Sequence, residues 1–295
     1  MQKSLISVRD LSKEDTIALK KLFEDFKKGR RESLEGDCAL LFLESSTRTR
    51  LSFEKACRLL NLRSYYLGPR ESSIEKGESF GDTLKTLQAL GFRAVIFRVP
   101  FVLFPYQQYL EGSISLINAG DGTHQHPTQG LIDLFTALEV YGKVEGLKVL
   151  YVGDILHSRV FRSSSYLFKL FGAKVGVCGP RTLIPLDLSP FDVDMVFDDV
   201  DLAIEWADLC IWLRLQEERF KEQYIPSKES YFLQFGLTKE RHERLKGYFM
   251  HPGPVNVYVD IDAQVLYSDK SLVLRQVQAG LYTRMALLYW ALSDG

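Results

Sequence analysis

Apolar residues in this chain follow two rhythms, short unbroken runs and longer stretches where they recur every three or four positions. The first helical stretch opens at Ser12, with Asp15 three residues on as a capping box, and continues through Ile17, Leu22, Phe23 and Phe26. Ala39 to Leu43 is an apolar run of the kind found in strands covered on both faces, and it ends at Glu44-Ser45-Ser46-Thr47, a strand-to-helix turn. Phe80, Leu84, Leu87 and Leu90 mark another helix, Ala94 to Val99 a buried strand, and Ile114 to Ile117 a third strand followed by the polar loop Asn118 to Gln125. Proline suits a first helical turn, so a helix is expected from Pro127 to about Tyr141. After Gly142 the rhythm restarts. Strands are expected at 148–152, 174–178, 193–197, 209–213 and 248–251, with helices at 160–171, 202–206 and 272–292.

This alternation, played twice, predicts an α/β protein of two domains, each a mainly parallel sheet flanked by helices. The length of 295 residues agrees with two domains on the usual prior of roughly 150 residues each. No solenoid-length repeat or low-complexity tract interrupts the pattern. In parallel sheets ligands bind beyond the carboxyl ends of the strands, and the three most polar, most unusual segments all follow strands.

Composition narrows the classes. With 46% hydrophobic and 25% charged residues the chain can bury full cores. The net charge of -1, from 37 basic and 38 acidic residues, argues against a nucleic-acid or anionic-membrane partner. Arginine clusters must then be local, which marks sites. Cys38, Cys57, Cys178 and Cys210 form no CxxC pair and lie in or beside apolar stretches, so buried free thiols and a cytoplasmic, reducing location are expected. Met1 to Asp10 has no apolar signal core, and no run reaches about 18 apolar residues, so neither secretion nor a membrane span is expected.

Three segments carry chemistry. Ser45-Ser46-Thr47-Arg48-Thr49-Arg50 puts hydroxyls and arginines where a buried strand turns into a helix, a position whose amides and dipole receive an anion and where Arg48 adds a bidentate contact. The same residues also suit a plain Ser/Thr N-cap followed by a solvated arginine face. His126-Pro127-Thr128-Gln129 starts another helix; a histidine there can donate a hydrogen bond while held neutral, or can simply cap the helix. Arg98 ends a buried strand, where an unpaired charge is costly and an anionic partner is needed.

In order and spacing, Ser46-Thr47-Arg48-Thr49-Arg50, Arg98 before Pro100, and His126-Pro127-Thr128-Gln129 resemble the carbamoyl-phosphate site of the aspartate and ornithine carbamoyltransferase family. The resemblance runs on through Lys76-Gly77-Glu78, Gly153-Asp154-Ile155-Leu156-His157-Ser158-Arg159, Arg214-Leu215-Gln216 and His251-Pro252-Gly253-Pro254-Val255-Asn256, so it covers nearly the whole chain. Arg159 and Arg214 look like the two carboxylate clamps of the aspartate branch, since a dicarboxylate acceptor wants two arginines. The ornithine branch has a His-Cys-Leu-Pro segment where this chain has His251-Pro252-Gly253-Pro254. An acceptor such as ornithine is therefore the disfavoured alternative. Two departures stand out: Val257-Tyr258 follows Asn256 where Arg-Gly is common, and Glu75 precedes Lys76 where some members carry a base.

The resemblance implies transfer of the carbamoyl group of carbamoyl phosphate to L-aspartate, in the setting of pyrimidine biosynthesis. Ser46 to Thr49, Arg48 and Arg98 would hold the phosphate, while Thr49, Arg98 and His126 polarise the carbonyl. Gln129 and the main chain of Pro252-Gly253-Pro254 would orient the carbamoyl NH₂ or the incoming amine. Arg159, Arg214 and Gln216 would hold aspartate. Ser72 and Lys76 would reach into a neighbouring subunit's site, making a homotrimer with shared active sites and giving Lys76 contacts to both substrates. The departing phosphate can take the amine proton, so no protein base, cofactor or metal is implied. The expected division is a carbamoyl-phosphate domain, 1–141, completed by the helix 272–295, and an aspartate domain, 142–271. A regulatory chain or a dihydroorotase partner is left open.

Overall fold

The computed structural model describes residues 3–72, 74, 77–103, 106–110 and 112–293. The chain divides into two compact units, Met1–Leu131 with Gln278–Gly295, and Ile132–Val277. The division falls inside the helix that starts at Pro127, rather than after it.

The first unit contains α1 (Lys13–Lys27), β1 (Asp37–Phe42), α2 (Thr47–Leu59), β2 (Arg63–Leu67), α3 (Phe80–Ala89), β3 (Ala94–Val99) and β4 (Ser115–Asp121). Its parallel sheet has the order β2-β1-β3-β4. The capping box at α1 forms as the sequence indicates: Ser12 Oγ accepts from the Asp15 amide at 2.9 Å and Asp15 Oδ2 from the Ser12 amide at 3.2 Å. The buried stripe of α1 is Thr16, Leu19, Phe23 and Phe26, so Ile17 falls about a quarter-turn off the core face and is exposed. β1 and β3 are nearly continuous apolar runs because both faces are covered. By contrast β2 is an edge strand, exposed over its first three residues, and no apolar run marks it along the chain. Its register with β1 is pinned by Arg63, whose Nε and Nη2 donate to the Asp37 carboxylate at 2.5 and 3.0 Å.

α4 (Pro127–Tyr141) leads into the second unit, where β5 (Lys148–Val152), α5 (Arg159–Leu170), β6 (Lys174–Cys178), β7 (Met195–Phe197), α6 (Val200–Trp206) and β8 (Leu209–Trp212) follow. α7 (Lys228–Phe235), α8 (Lys239–Arg244), β9 (Tyr248–Met250) and α9 (Val273–Leu292) complete the chain, with α9 ending in the first unit. The second sheet is also parallel, ordered β7-β6-β5-β8-β9. Its core joins Leu150, Val152, Cys210, Trp212 and Phe249 of the sheet to Tyr231 and Phe235 of α7. Fully burying side chains of this kind stabilises the unit by ~1.5–3 kcal/mol each. The four cysteines are free and buried, and burial pushes the Cys178 thiol up to about 12, so it packs as a small hydrophobe.

Both sheets have a switch point. In the first, the chain leaves β1 for β2 on one side and for β3 and β4 on the other. In the second it leaves β5 for β6 and β7, then returns to the opposite side for β8 and β9. At such points two neighbouring loops diverge beyond the strand ends and open a crevice.

Candidate functional site

In the first unit the crevice lies between the loops that follow β1 and β3. Leu43 continues from β1 and its amide donates to the Arg98 carbonyl at 2.8 Å, so the turn into α2 and the end of β3 share one edge. Ser46 is the N-cap of α2, yet its hydroxyl does not cap the helix: Oγ donates instead to Thr49 Oγ1 at 2.9 Å. By contrast, α1, α3, α5, α6, α7 and α8 each have a side-chain oxygen accepting from the first turn. The first turn of α2 thus keeps its amides unsatisfied by its own cap residue, which leaves a receptive anion position. Thr47 and Arg48 are exposed on this turn, whereas Thr49 is buried.

Arg98 is held close by. Its Nη1 donates to the Ala119 carbonyl at 3.1 Å, and Nε lies 3.6 Å from Glu44 Oε2, with the arginine side chain only 12% exposed. The loop after β4 is organised by buried Asp121, whose two oxygens accept from Asn118 Nδ2, the Gln125 amide and the Leu103 amide at 2.8–3.1 Å. That loop delivers His126, Thr128 and Gln129, all buried, to the start of α4. His126 Nδ1 lies 3.3 Å from Thr128 Oγ1, which orients the ring. Ser72 is buried with its Oγ accepting from the Ile74 amide at 3.3 Å. Glu75 and Lys76 lie outside the described residues.

The second unit repeats the plan with different chemistry. Arg159 is the first residue of α5, 6% exposed, and N-cap Ser158 accepts from the Phe161 amide at 3.1 Å. Arg214 follows β8 across the switch point. Asp154, fully buried, ties these two loops together: Oδ1 bonds the His157 amide and Nδ1 at 3.1 and 2.9 Å, and Oδ2 accepts from the Gln216 amide at 3.3 Å. Gln216 Nε2 in turn donates to the His157 carbonyl at 3.1 Å. Gln216 is therefore a brace of the crevice as well as a candidate ligand.

Arg214 presents both terminal nitrogens to Glu218, Nη1 at 3.1 Å from Oε2 and Nη2 on Oε1. Burial acts to raise the Glu218 carboxyl, but hydrogen bonds from Arg214 and the backbone, together with the charges of Arg214 and Arg219, hold the group below its usual range. Arg214 thus already grips a carboxylate end-on through its two terminal nitrogens, a bidentate geometry a second carboxylate would use. The pair opens on a cavity of about 520 Å³ lined by Leu215, Val255, Asn256, Val257 and Val259 among others. Gly253 takes φ +67, which lets the His251-Pro252-Gly253-Pro254 segment turn sharply.

Val257-Tyr258 also has a structural setting. Tyr258 takes φ +61, a left-handed conformation that glycine adopts at no steric cost, and its ring meets Phe232 of α7 edge-on at 6.4 Å. Among the described residues no group of three His, Cys, Asp or Glu side chains could hold a metal ion, and no helix is long and apolar enough to cross a membrane.

Family sequence models divide at the same place as the two sheets. The aspartate/ornithine carbamoyltransferase carbamoyl-P binding domain matches residues 3–139, and the Asp/Orn binding domain of that family matches residues 145–291. The chain belongs to this family. The aspartate carbamoyltransferase catalytic subunit of Aquifex aeolicus is 58% identical over 286 residues, 97% of this chain and 98% of that one. Among solved structures, the catalytic subunit of aspartate transcarbamoylase from M. jannaschii has a TM-score of 0.82 at 31% identity, covering 97% of this chain and 96% of its own. Trypanosoma cruzi aspartate transcarbamoylase in complex with N-(phosphonacetyl)-L-aspartic acid has a TM-score of 0.87 at 26% identity, covering 99% and 96%. Buried Asp154 and Asp121, which hold the loops at the two crevices, were not singled out from the sequence as site residues.

Proposed function

We propose that the chain transfers the carbamoyl group of carbamoyl phosphate to the amine of L-aspartate, giving N-carbamoyl-L-aspartate and phosphate, a step of pyrimidine biosynthesis. The observation that carries this reading is that each unit has its own switch-point crevice with its own chemistry: the first has an uncapped helix start beside Arg48 and Arg98, the second has two arginines. A phosphate dianion suits the first and a dicarboxylate suits the second.

In this reading the amides of residues 46–49 with Arg48 and Arg98 hold the phosphate. Thr49, Arg98 and His126 donate to the carbonyl oxygen and stabilise it as it gains charge, a contribution of about 10²–10³ in rate per well-aimed donor. Gln129 and the main-chain carbonyls of Pro252 and Gly253, with Pro254 beside them, fix the carbamoyl NH₂ and the attacking amine. Arg159, Arg214 and Gln216 receive aspartate, whose carboxylate takes over from Glu218 on the Arg214 fork. The amine nitrogen bonds to the carbamoyl carbon, the bond from that carbon to the phosphate oxygen breaks, and the departing phosphate carries off the amine proton. Holding both reactants together supplies much of the acceleration.

The reading extends to a cytoplasmic homotrimer in which Ser72 and Lys76 serve a neighbour's site, and to functional domains 1–141 with 272–295 and 142–271. Carbamoyl transfer from labelled carbamoyl phosphate is the test, with aspartate and ornithine offered separately. Carbamoyl aspartate should form and carbamoyl ornithine should not; the reverse product would move the chain to the other branch.

A further inference from the structure

Behind the acceptor crevice of the second unit sits a carboxylate that the chemistry above does not use. Asp260 is fully buried, and three donors converge on it. Its Oδ1 accepts from the Leu215 amide at 3.1 Å, and its Oδ2 accepts from the Asn256 amide at 2.8 Å and faces His251 Nε2 at 3.2 Å. The other side of the ring fixes the direction of that last bond. The Gly253 amide donates to His251 Nδ1 at 2.8 Å, so Nδ1 carries no proton and Nε2 is the donor.

The network continues in both directions. The His251 amide donates to Gln276 Oε1 at 3.0 Å, and Gln276 Nε2 donates to Asp133 Oδ1 at 2.7 Å. Asn256 Nδ2 donates back to the Leu215 carbonyl at 3.2 Å. One buried carboxylate therefore gathers the segment holding Arg214, the Gly253-Pro254 turn and the Asn256 wall of the Arg214 cavity.

We infer that Asp260 is a positioning residue for the acceptor substrate, fixing the main chain from which the Arg214 guanidinium is aimed. The inference rests on the reading that Arg214 and the Gly253-Pro254 turn receive the acceptor. Leu215 directly follows Arg214, and the next amide, Gln216, is held by Asp154 at 3.3 Å. Two successive amides anchored on two buried carboxylates leave the Arg214 backbone one orientation. The chemistry also requires a carboxylate. Asparagine at 260 has a single acceptor oxygen, so one of the three N–H donors would face its NH₂ group and lose its bond. Leu215 stands alone on Oδ1, so its bond is the smallest loss and the one that releases Arg214.

The experiment compares Asp260→Asn with the parent in steady-state carbamoyl aspartate formation and in calorimetric binding of carbamoyl phosphate. Asp260→Asn should raise half-saturating aspartate by about tenfold or more, because a small misplacement of a binding group is expensive, while carbamoyl phosphate binds within about twofold of the parent. Leu245→Ala, a buried change in the same core that touches none of these bonds, serves as the stability control. It should lower the melting temperature without moving the aspartate requirement. Equal shifts in the two variants, or an unmoved requirement in Asp260→Asn, overturn the inference. If Asp260→Asn does not fold, Asn256→Ala removes only the bond to the Leu215 carbonyl and should raise the requirement about threefold; no change there also overturns it. A parent that forms no carbamoyl aspartate sinks the reading of the site and this inference with it. An active parent with an indifferent Asp260→Asn sinks the inference alone.

Discussion

Replacing Gly153 by alanine probes the turn that leads from β5 into the crevice of the second unit. Gly153 directly follows β5 and takes φ +116, a conformation that L side chains rarely adopt. A Cβ there would stand 2.6 Å from Tyr231 Oη and 3.0 Å from the Leu213 carbonyl oxygen. Neither neighbour yields cheaply, since Tyr231 is a buried core ring and Leu213 is backbone immediately before Arg214. The backbone conformation costs ~1–3 kcal/mol and the overlap ~1–3 kcal/mol more. The sum of ~2–6 kcal/mol is a large part of the stability of an ordinary domain. At about 2–4 °C per kcal/mol, the melting transition of the second unit should fall by at least about 4 °C. Scanning calorimetry reads this directly, and because Leu213 must shift, the aspartate requirement should rise in the same variant. A Gly153→Ala protein that melts with the parent and keeps the parental aspartate requirement would refute the reasoning, since the two contacts would then have relaxed at no cost.

Other expectations separate the two halves. Arg48→Ala should cripple turnover through lost carbamoyl phosphate binding, seen by calorimetry as at least about tenfold weaker affinity. Arg214→Ala should raise the aspartate requirement steeply while leaving carbamoyl phosphate affinity within about twofold, and the opposite pattern would move Arg214 to the other substrate. For the shared site, inactive Lys76→Ala and Arg48→Ala homo-oligomers are mixed and reassembled. Activity should return to roughly a quarter of the parent's, the chance that an interface joins an intact Arg48 to a neighbour's intact Lys76. If confirmed hybrids stay inactive, Lys76 serves its own chain or no site at all.

What could be read in the sequence follows from how each element is stabilised. β1, β3, β5 and β8 are buried on both faces, so their apolar runs stand out, and Pro127 announces α4. β2 could not be read that way. It is held by its neighbour's backbone and by the Arg63–Asp37 pair, which leaves no hydrophobic signature. α7 and α8 are short helices whose ends are fixed by Ser227 and Thr238 caps rather than by a long amphipathic stripe. The candidate ligands Arg48, Arg98 and His126 were legible because unusual polar residues cluster after predicted strands, whereas Arg159 and Arg214 stood out only through the family resemblance. Their supports were not legible. Asp154 and Asp260 bond the 215–216 amides from 62 and 45 positions away, and a single aspartate in a loop carries no periodic signal. Val257-Tyr258 was legible only as a departure, and its positive φ appears only in three dimensions.

The central claim is that the two crevices serve one reaction, a phosphate in the first and a dicarboxylic amine in the second. Calorimetric titration with a phosphonate joined to an aspartate skeleton tests it most directly, beside the phosphonate fragment alone and a matching ornithine compound. A linked ligand that fills both halves avoids a second association cost, so the aspartate compound should bind at least about a hundredfold tighter than the fragment. The ornithine compound should gain little, because its side-chain ammonium would meet Arg159 and Arg214. Equal affinity of the aspartate compound and the fragment, or tighter binding of the ornithine compound, would contradict the account.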